Sequence, residues 1–246
     1  MDENGAFELA VKGPWSYFHL PALERAGIAH GFMTRSSDSI LSGEEEEKDF
    51  ALVLGARRLV SLRQEHGDVV HVIEDGERPR EGDGLIVVEP GVLAAVKTAD
   101  CIPVIIYAGD GAIAAVVHAG WRGTAVNITG KAIRRIIAMG ARPDRLGVLI
   151  GPGIGPCCYD VGEDVVRAFR TAGFREDIFE RRGASTFLDL KDANRRLAEA
   201  EGVAEIRDVG LCTACRRDLF FSARRDKVQG RQINFVLLKR GLKGIL

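Results

Sequence analysis

The sequence predicts an α/β (α+β) protein of mixed or packed β-sheets with helices outside them. Two observations carry that reading. DGLIVVEPGVLAAVKTADCIPVIIYAGDGAIAAVVHA, residues 83–119, reads as four apolar runs broken by Glu-Pro-Gly, Thr-Ala-Asp and Ala-Gly-Asp-Gly. Runs this continuous suit strands buried on both faces. Strands also outnumber helices along the chain, and they do not alternate as βαβ units, which argues against a doubly wound nucleotide fold.

Composition sets the outer bounds. The chain has 246 residues, with 46% hydrophobic and 28% charged, enough to build a sizeable core. A formal net charge of -1 leaves no basic excess to grip a phosphate backbone, so nucleic acid is not expected as a partner. No apolar run reaches the ~20 residues that span a bilayer. The acidic start MDENGAFELAVKG lacks the apolar core of a signal peptide, and the cysteines number five, an odd count. Together these predict a cytoplasmic protein with reduced thiols.

The elements follow in order. Residues 1–27 read as an N-terminal extension of a single domain covering 1–246. SSDSILSGEEEEKDF, residues 36–50, reads as a mobile surface loop feeding a short helix. LVSLRQEHGDVVHVIED holds two short β-rich pieces around a turn at His66-Gly67-Asp68. After the four apolar runs, TAVNITGKAIRRIIAMGA predicts a helix with Val126, Ile133, Ile136 and Ile137 on one face and Gly140 as its stop. RLGVLIGPGIG predicts a buried strand and a Gly/Pro loop. GEDVVRAFRTAG and DLKDANRRLAEAEGV predict two further helices, the second capped by Asp189 or Asp192 and ended by Gly202. IRDVGLC and RQINFVLLK close the chain as strands.

Three residues stand where side chains can converge: His66 in a turn, Cys101 at the start of a strand and His118 at the end of one. A thiolate and two imidazoles make a three-ligand set for zinc with a fourth position open. Cys101 and His118 alone make a nucleophile with its base. Residue spacing matches no zinc-finger pattern, so three unrelated structural residues remain a third reading. Trp121-Arg122-Gly123 follows His118 after Ala119-Gly120 and leads into a helix, which suits an anion site, and Thr34-Arg35 is a second anion contact. Asp83 and Asp100 are the nearest carboxylates, able to orient a ligand histidine or bind a ribose hydroxyl, or simply to bond within turns. His71 reads as structural in mid-strand, and His30 as either packing or pocket-lining.

The remaining cysteines are less telling. GPGIGPCCYDVG, residues 151–162, is neither GxGxxG in a Rossmann context nor a P-loop. Cys157 and Cys158 are adjacent, which makes joint ligation of one metal difficult. Cys212 and Cys215 have CxxC spacing. Buried apolar thiols are the preferred reading, with a four-cysteine structural zinc site as the alternative. The zinc deaminase pattern H-x-E…P-C-x-x-C is absent.

HGFMTR (30–35), RQEHG (63–67), TADCIPV (98–104), VHAGWRGT (117–124), IGPGIGPCCYDVG (150–162), CT (212–213), FFSARRD (220–226) and GR (230–231) occur in one order. In them the chain closely resembles the laccase-domain proteins, once called multicopper polyphenol oxidases and now described as purine nucleoside phosphorylases. The resemblance runs from about residue 28 to the C-terminus. It implies a single-domain α/β/β/α fold, similar to that of the bacterial cytotoxic necrotizing factor. It implies zinc on His66, Cys101 and His118. It further implies phosphorolysis of adenosine, inosine, guanosine and methylthioadenosine, with adenosine deamination as a side activity. Purine nucleoside and phosphate are then the partners of a monomer or small homo-oligomer; for that reaction Arg35 and Arg122 are the expected phosphate clamps, with Asp83 holding a ribose hydroxyl or orienting a ligand. The older name implies copper, but the chain lacks the histidine clusters several coppers need. A metal-free cysteine hydrolase on Cys101 and His118, or a copper oxidase, are the competing readings. One region departs from the family pattern: the segment between TR and QEHG is shortened and lacks its Gly-Gly-x-Ser turn, which bears on substrate range.

Overall fold

Each apolar run between residues 84 and 119 is one strand, and its alternate residues enter different cores. In the computed structural model, which describes residues 6–73, 81–227 and 230–239, these runs are β6 (Gly84–Val87), β7 (Val92–Thr98), β8 (Ile102–Ala108) and β9 (Ala114–Ala119). Before them come β1 (Glu8–Lys12), β2 (Trp15–His19), α1 (Pro21–Arg25), β3 (Ile28–Met33), α2 (Glu44–Val53), β4 (Arg58–Ser61) and β5 (Val70–Ile73). After them come α3 (Trp121–Ala125), α4 (Ile128–Ala138), β10 (Leu146–Ile150), β11 (Asp160–Val161), α5 (Glu163–Thr171), β12 (Phe179–Arg182), β13 (Ser185–Leu188), α6 (Leu190–Ala200), β14 (Glu205–Asp208), α7 (Ala223–Asp226) and β15 (Gln232–Leu238).

Two six-stranded sheets form, in the orders β1-β2-β3-β15-β7-β4 and β14-β10-β8-β9-β6-β5. Both are mixed, because β4 runs parallel to β7, β5 to β6 and β14 to β10, while their other pairings are antiparallel. β11, β13 and β12 make a small third sheet.

Strand periodicity explains the layering. In β8, Ile102, Val104 and Ile106 pack with β9 residues Ala115 and Val117 against α4, α5 and α6. Ile105 and Tyr107, with Ala114 and Val116, face Ala94, Val96 and Val236 of the first sheet. Leu93, Ala95, Phe235 and Leu237 turn the other way and meet Phe50 of α2 and Leu54 at its C-cap. Side chains of period two therefore fill three cores, one between the sheets and one under each helical layer, which is the expected α/β/β/α arrangement.

The structure corrects three expectations. Residues 36–50 are not a loop: Arg35–Ser42 is a 3-10 helix, Thr34 accepts from the Ser36 N–H as its cap, and the short helix is α2. Ile40 is fully buried under Phe50, so an apolar anchor holds the segment down. The helix over 124–141 is broken, because Asn127 adopts a left-handed conformation (φ 62°) and caps α4 by accepting from Gly130 N–H. Val126 is consequently 49% exposed instead of lying on the apolar face. Residues 8–25 are no appendage: β1 and β2 extend the first sheet, and Trp15 and Tyr17 are buried. Residues 1–5 of that segment and 74–75 of the second β-rich piece lie outside the described residues. The 1–246 range itself extends past residue 239.

Three links carry the chain between the sheets at one end of the sandwich, the third being the long connection from β14 back to β15. β4 in the first sheet passes to β5 in the second, and β7 passes to β8. Behind them, buried Asn194 donates to Thr124 Oγ1 (3.1 Å) and accepts from Thr129 Oγ1 (2.6 Å), tying α3 and α4 to α6.

Candidate metal centre

Cys101 and His118 meet because their strands pair. Pro103 is opposite His118 and Ile102 opposite Ala119, so Cys101, just before β8, reaches Gly120 just after β9. A side chain at Gly120 would place its Cβ 3.1 Å from Cys101 Sγ and 3.1 Å from His66 Cδ2. Glycine here leaves the space in which the two side chains approach. His66 arrives from the β4–β5 link with φ 60°, a left-handed backbone uncommon for a residue with a side chain. Its ring stands edge-on to that of His118, with centroids 4.8 Å apart. One donor atom from each of His66, Cys101 and His118 lies within 4.8 Å of the others.

Asp83 organises this cluster. Its Oδ1 accepts from His118 Nδ1 (2.8 Å) and His66 N (3.0 Å), and its Oδ2 accepts from Gly67 N (2.8 Å) and Glu65 N (3.3 Å). The turn bearing His66 is thus wrapped around a carboxylate that also fixes the His118 ring. With Nδ1 donating to Asp83, Nε2 of His118 is left for the cluster. Burial opposes ionisation of Asp83, but His118 and the Gly67 N–H outweigh it and hold its carboxyl below the usual range. Burial also opposes a Cys101 thiolate, yet His118 and His66 bring that thiol down to about 6. The donor set is one anionic sulfur and two imidazoles, the chemistry of a zinc site with an open position.

The cluster opens on a cavity of about 580 Å³, lined by Gln64, Lys97, Asp100, Tyr159, Arg224 and Arg231 among others. That volume suits a ligand of nucleoside size, within the roughly 300–1,000 Å³ of small-molecule sites. Three of its lining side chains are cationic and one is a carboxylate; Lys97 also pairs with Glu47 (3.9 Å) and Arg224 with Asp160. Burial pushes the Tyr159 phenol up, so it stays protonated and can donate. Asp100 is itself committed: it accepts from Thr213 Oγ1 (2.6 Å), Ser222 Oγ (3.0 Å) and Arg224 N (2.7 Å). It anchors the segment that brings Arg224 to the cavity.

Several expected residues lie elsewhere. Arg35 does not line the cavity; its guanidinium donates to the Arg217 carbonyl (2.9 Å) and stacks 4.7 Å from the Phe221 ring centroid. Arg122 is exposed, lies 4.4 Å from the Trp121 ring centroid and is not among the lining residues. The helix behind it has only five residues. Asp83 is 1% exposed with both oxygens engaged, so it orients the cluster and has no oxygen left for ribose. His30 is buried and packs: it accepts from Leu20 N–H and donates from Nδ1 to the Ile28 carbonyl. His71 pairs with the Glu81 carbonyl from within β5, a structural role as expected. The residues that reasoning on single positions missed are Lys97, Arg224 and Arg231. Two of them sit in the motifs FFSARRD and GR, which carried the signal without an assigned role. The cysteine pairs also differ from expectation: Cys157, Cys158, Cys212 and Cys215 converge, and Cys157 and Cys215 are exposed, so they are not buried apolar thiols.

Comparison with known proteins identifies the family. Residues 32–239 match the family model described as multi-copper polyphenol oxidoreductase laccase. A purine nucleoside phosphorylase from Deinococcus radiodurans is 42% identical over 231 residues, covering 85% of this chain and 89% of the relative. Adenosine deaminase RL5, from an unknown prokaryotic organism, is 38% identical over 182 residues, covering 68% of this chain and 70% of that protein. The crystal structure of YlmD from Geobacillus stearothermophilus superposes with a TM-score of 0.84 at 30% identity, covering 95% of this chain and 99% of that one. Homologues named for purine nucleoside phosphorolysis and adenosine deamination support an enzyme of that kind. By sequence and by fold, the chain belongs to the multi-copper polyphenol oxidoreductase laccase family.

Proposed function

We propose that the protein is a zinc-dependent purine nucleoside phosphorylase, acting on adenosine, inosine, guanosine or methylthioadenosine, with deamination of adenosine as a second activity of the same site. The observation that carries the proposal is the convergence of His66, Cys101 and His118 on a cavity walled by Lys97, Arg224 and Arg231. The names borne by the relatives support the reaction class.

His66, Cys101 and His118 would hold the zinc, which would supply Lewis acidity toward a phosphate or water oxygen. Gly120 leaves room for the donors, and Asp83 holds His118 in the tautomer that presents Nε2. Lys97, Arg224 and Arg231 draw phosphate into the cavity and hold its charge near the sugar. In phosphorolysis a phosphate oxygen bonds to C1′ as the bond from C1′ to the purine nitrogen breaks. The base leaves with the bonding pair and takes up a proton. Positioning phosphate against C1′ supplies much of the acceleration. Copper chemistry on several ions is disfavoured by the donors: of the five histidines, His19, His30 and His71 lie outside the cluster.

Asp83, His118 and Cys101 are also linked as in a cysteine nucleophile with its base and orienting acid, which favours a metal-free hydrolase as the second reading. His66 distinguishes the two, since a nucleophile needs no second imidazole. The test is metal analysis with a nucleoside-plus-phosphate assay. The native enzyme should form ribose 1-phosphate from adenosine, and Cys101→Ala should lose one zinc equivalent and the activity together. Full activity in Cys101→Ala without that zinc would overturn the proposal. Inactivation by iodoacetamide that is indifferent to chelator would favour the hydrolase.

A further inference from the structure

Cys157, Cys158, Cys212 and Cys215 form a second cluster, with all four sulfurs within 4.8 Å of one another. Cys215 Sγ lies 3.5 Å from Cys157 Sγ and 3.4 Å from Cys158 Sγ. Four sulfurs bound tetrahedrally at ~2.3 Å from one zinc sit ~3.8 Å apart. The thiols are therefore already spaced close to what one such ion requires.

Adjacent cysteines share the cluster because their backbone is not extended. Neighbouring side chains on a strand point to opposite faces. Here Cys158 N and Tyr159 N both donate to the Gly155 carbonyl (3.0 and 3.1 Å), and the resulting tight turn brings both sulfurs to Cys215. Gly155 makes the rest of the fit. Its N–H donates to Cys212 Sγ at 3.2 Å, and a Cβ there would stand 3.3 Å from Cys157 Sγ. The two segments are also joined through their backbones: Gly153 bridges Cys212, and Thr213 N donates to Gly153 O (3.0 Å).

We propose that these four cysteines bind a structural zinc ion, separate from the His66–Cys101–His118 cluster. Binding displaces the thiol protons and leaves a closed four-thiolate site with no position for substrate, so its role is to clip two loops together. Those loops bear Tyr159, which lines the cavity, and Thr213, which bonds Asp100. The clip shapes the cavity wall without touching the ligand.

Cys101→Ala isolates the second site, since it leaves these four cysteines intact. Purified under reducing conditions, that variant should retain about one zinc per chain. Its thiols should resist Ellman's reagent until the zinc is removed, and its cobalt-substituted form should show the sulfur-to-metal charge-transfer absorption of a four-thiolate centre. Adding Cys212→Ser and Cys215→Ser should abolish both signals. Cys101→Ala protein that holds no zinc after reconstitution and shows four freely reactive thiols would overturn the proposal. So would disulfides among the four found by mass mapping of anaerobically prepared native enzyme. The readouts are metal and thiol counts, so failure here leaves the phosphorylase reading standing, and failure of that reading leaves this one standing.

Discussion

Asp83 and His118 are bonded twice: the His118 backbone N donates to the Asp83 carbonyl at 2.7 Å, and Nδ1 donates to Oδ1 at 2.8 Å. The first contact aligns the strands, and the second sets the ring. A carboxylate in this position raises the basicity of the nitrogen that faces the cluster. Asp83→Asn should therefore weaken zinc binding at the His66–Cys101–His118 site about 10–100-fold. Competition with a chromophoric chelator measures this, and unchanged affinity would remove Asp83 from the site.

Gly120→Ala tests the packing of the same cluster. The added methyl would meet Cys101 Sγ and His66 Cδ2, both at 3.1 Å. Gly120 has φ -71°, which alanine adopts freely, so the backbone is not strained. Zinc affinity should fall by about tenfold or more, at a cost of ~1–3 kcal/mol for overpacking. Circular dichroism should match the native protein. A variant that binds zinc normally would show that the donors do not need this space.

Arg224→Ala removes one cation from the cavity wall. A hydrogen bond to a charged group is worth ~1.5–3 kcal/mol, so KM for phosphate should rise about 10–100-fold. KM for the nucleoside should change less. Equal effects on both, or none on phosphate, would assign Arg224 to its pairing with Asp160 alone.

Asp100→Ala should destabilise the fold and the cavity together. It strands the Thr213 and Ser222 hydroxyls and the Arg224 N–H, at ~1–3 kcal/mol for each buried group left unpaired. It also leaves a β-carbon at φ 89° without the bonds that hold it there. Urea denaturation should show a loss of about 3 kcal/mol or more, and KM for phosphate should rise with it. Native stability would show that the three contacts are dispensable.

His30 gives a pH dependence far from the chemistry. Burial pushes its pKa from 6.5 down to about 4, and it sits neutral between Leu20 N–H and the Ile28 carbonyl. Between those pH values the unfolded chain binds a proton that the folded one does not. Its contribution to stability is present above about 6.5 and is lost as pH falls toward 4, on the order of 3 kcal/mol in all. His30→Gln should flatten that part of the stability–pH curve. An identical slope in the variant would assign the dependence to other groups.

The sandwich was legible because its signals are local. Each of the four runs in residues 83–119 became a strand, and Gly140 and Asp189 ended and began their helices as read. The misreadings were also local competitions: Asn127 broke a helical pattern by capping it, and Ile40 pinned a polar segment that composition alone reads as a loop. The residue types of the site were legible too, since a thiol and two imidazoles at strand ends are chemically conspicuous. Lys97, Arg224 and Arg231 were not, because an arginine in a surface-like motif carries no sign of which cavity it faces.

By itself, then, the sequence determined buried strands with helices outside them and nominated His66, Cys101 and His118, because hydrophobic period and donor chemistry are written residue by residue, while the α/β/β/α layer order came from the family resemblance. Tertiary structure alone decided that the three converge, that Asp83 serves them and not a ribose, and that four distant cysteines close on one point. The physical reason is that these relations depend on strand order and on where three links cross between the sheets. Those are set by the packing of the whole core and by no one stretch of the chain.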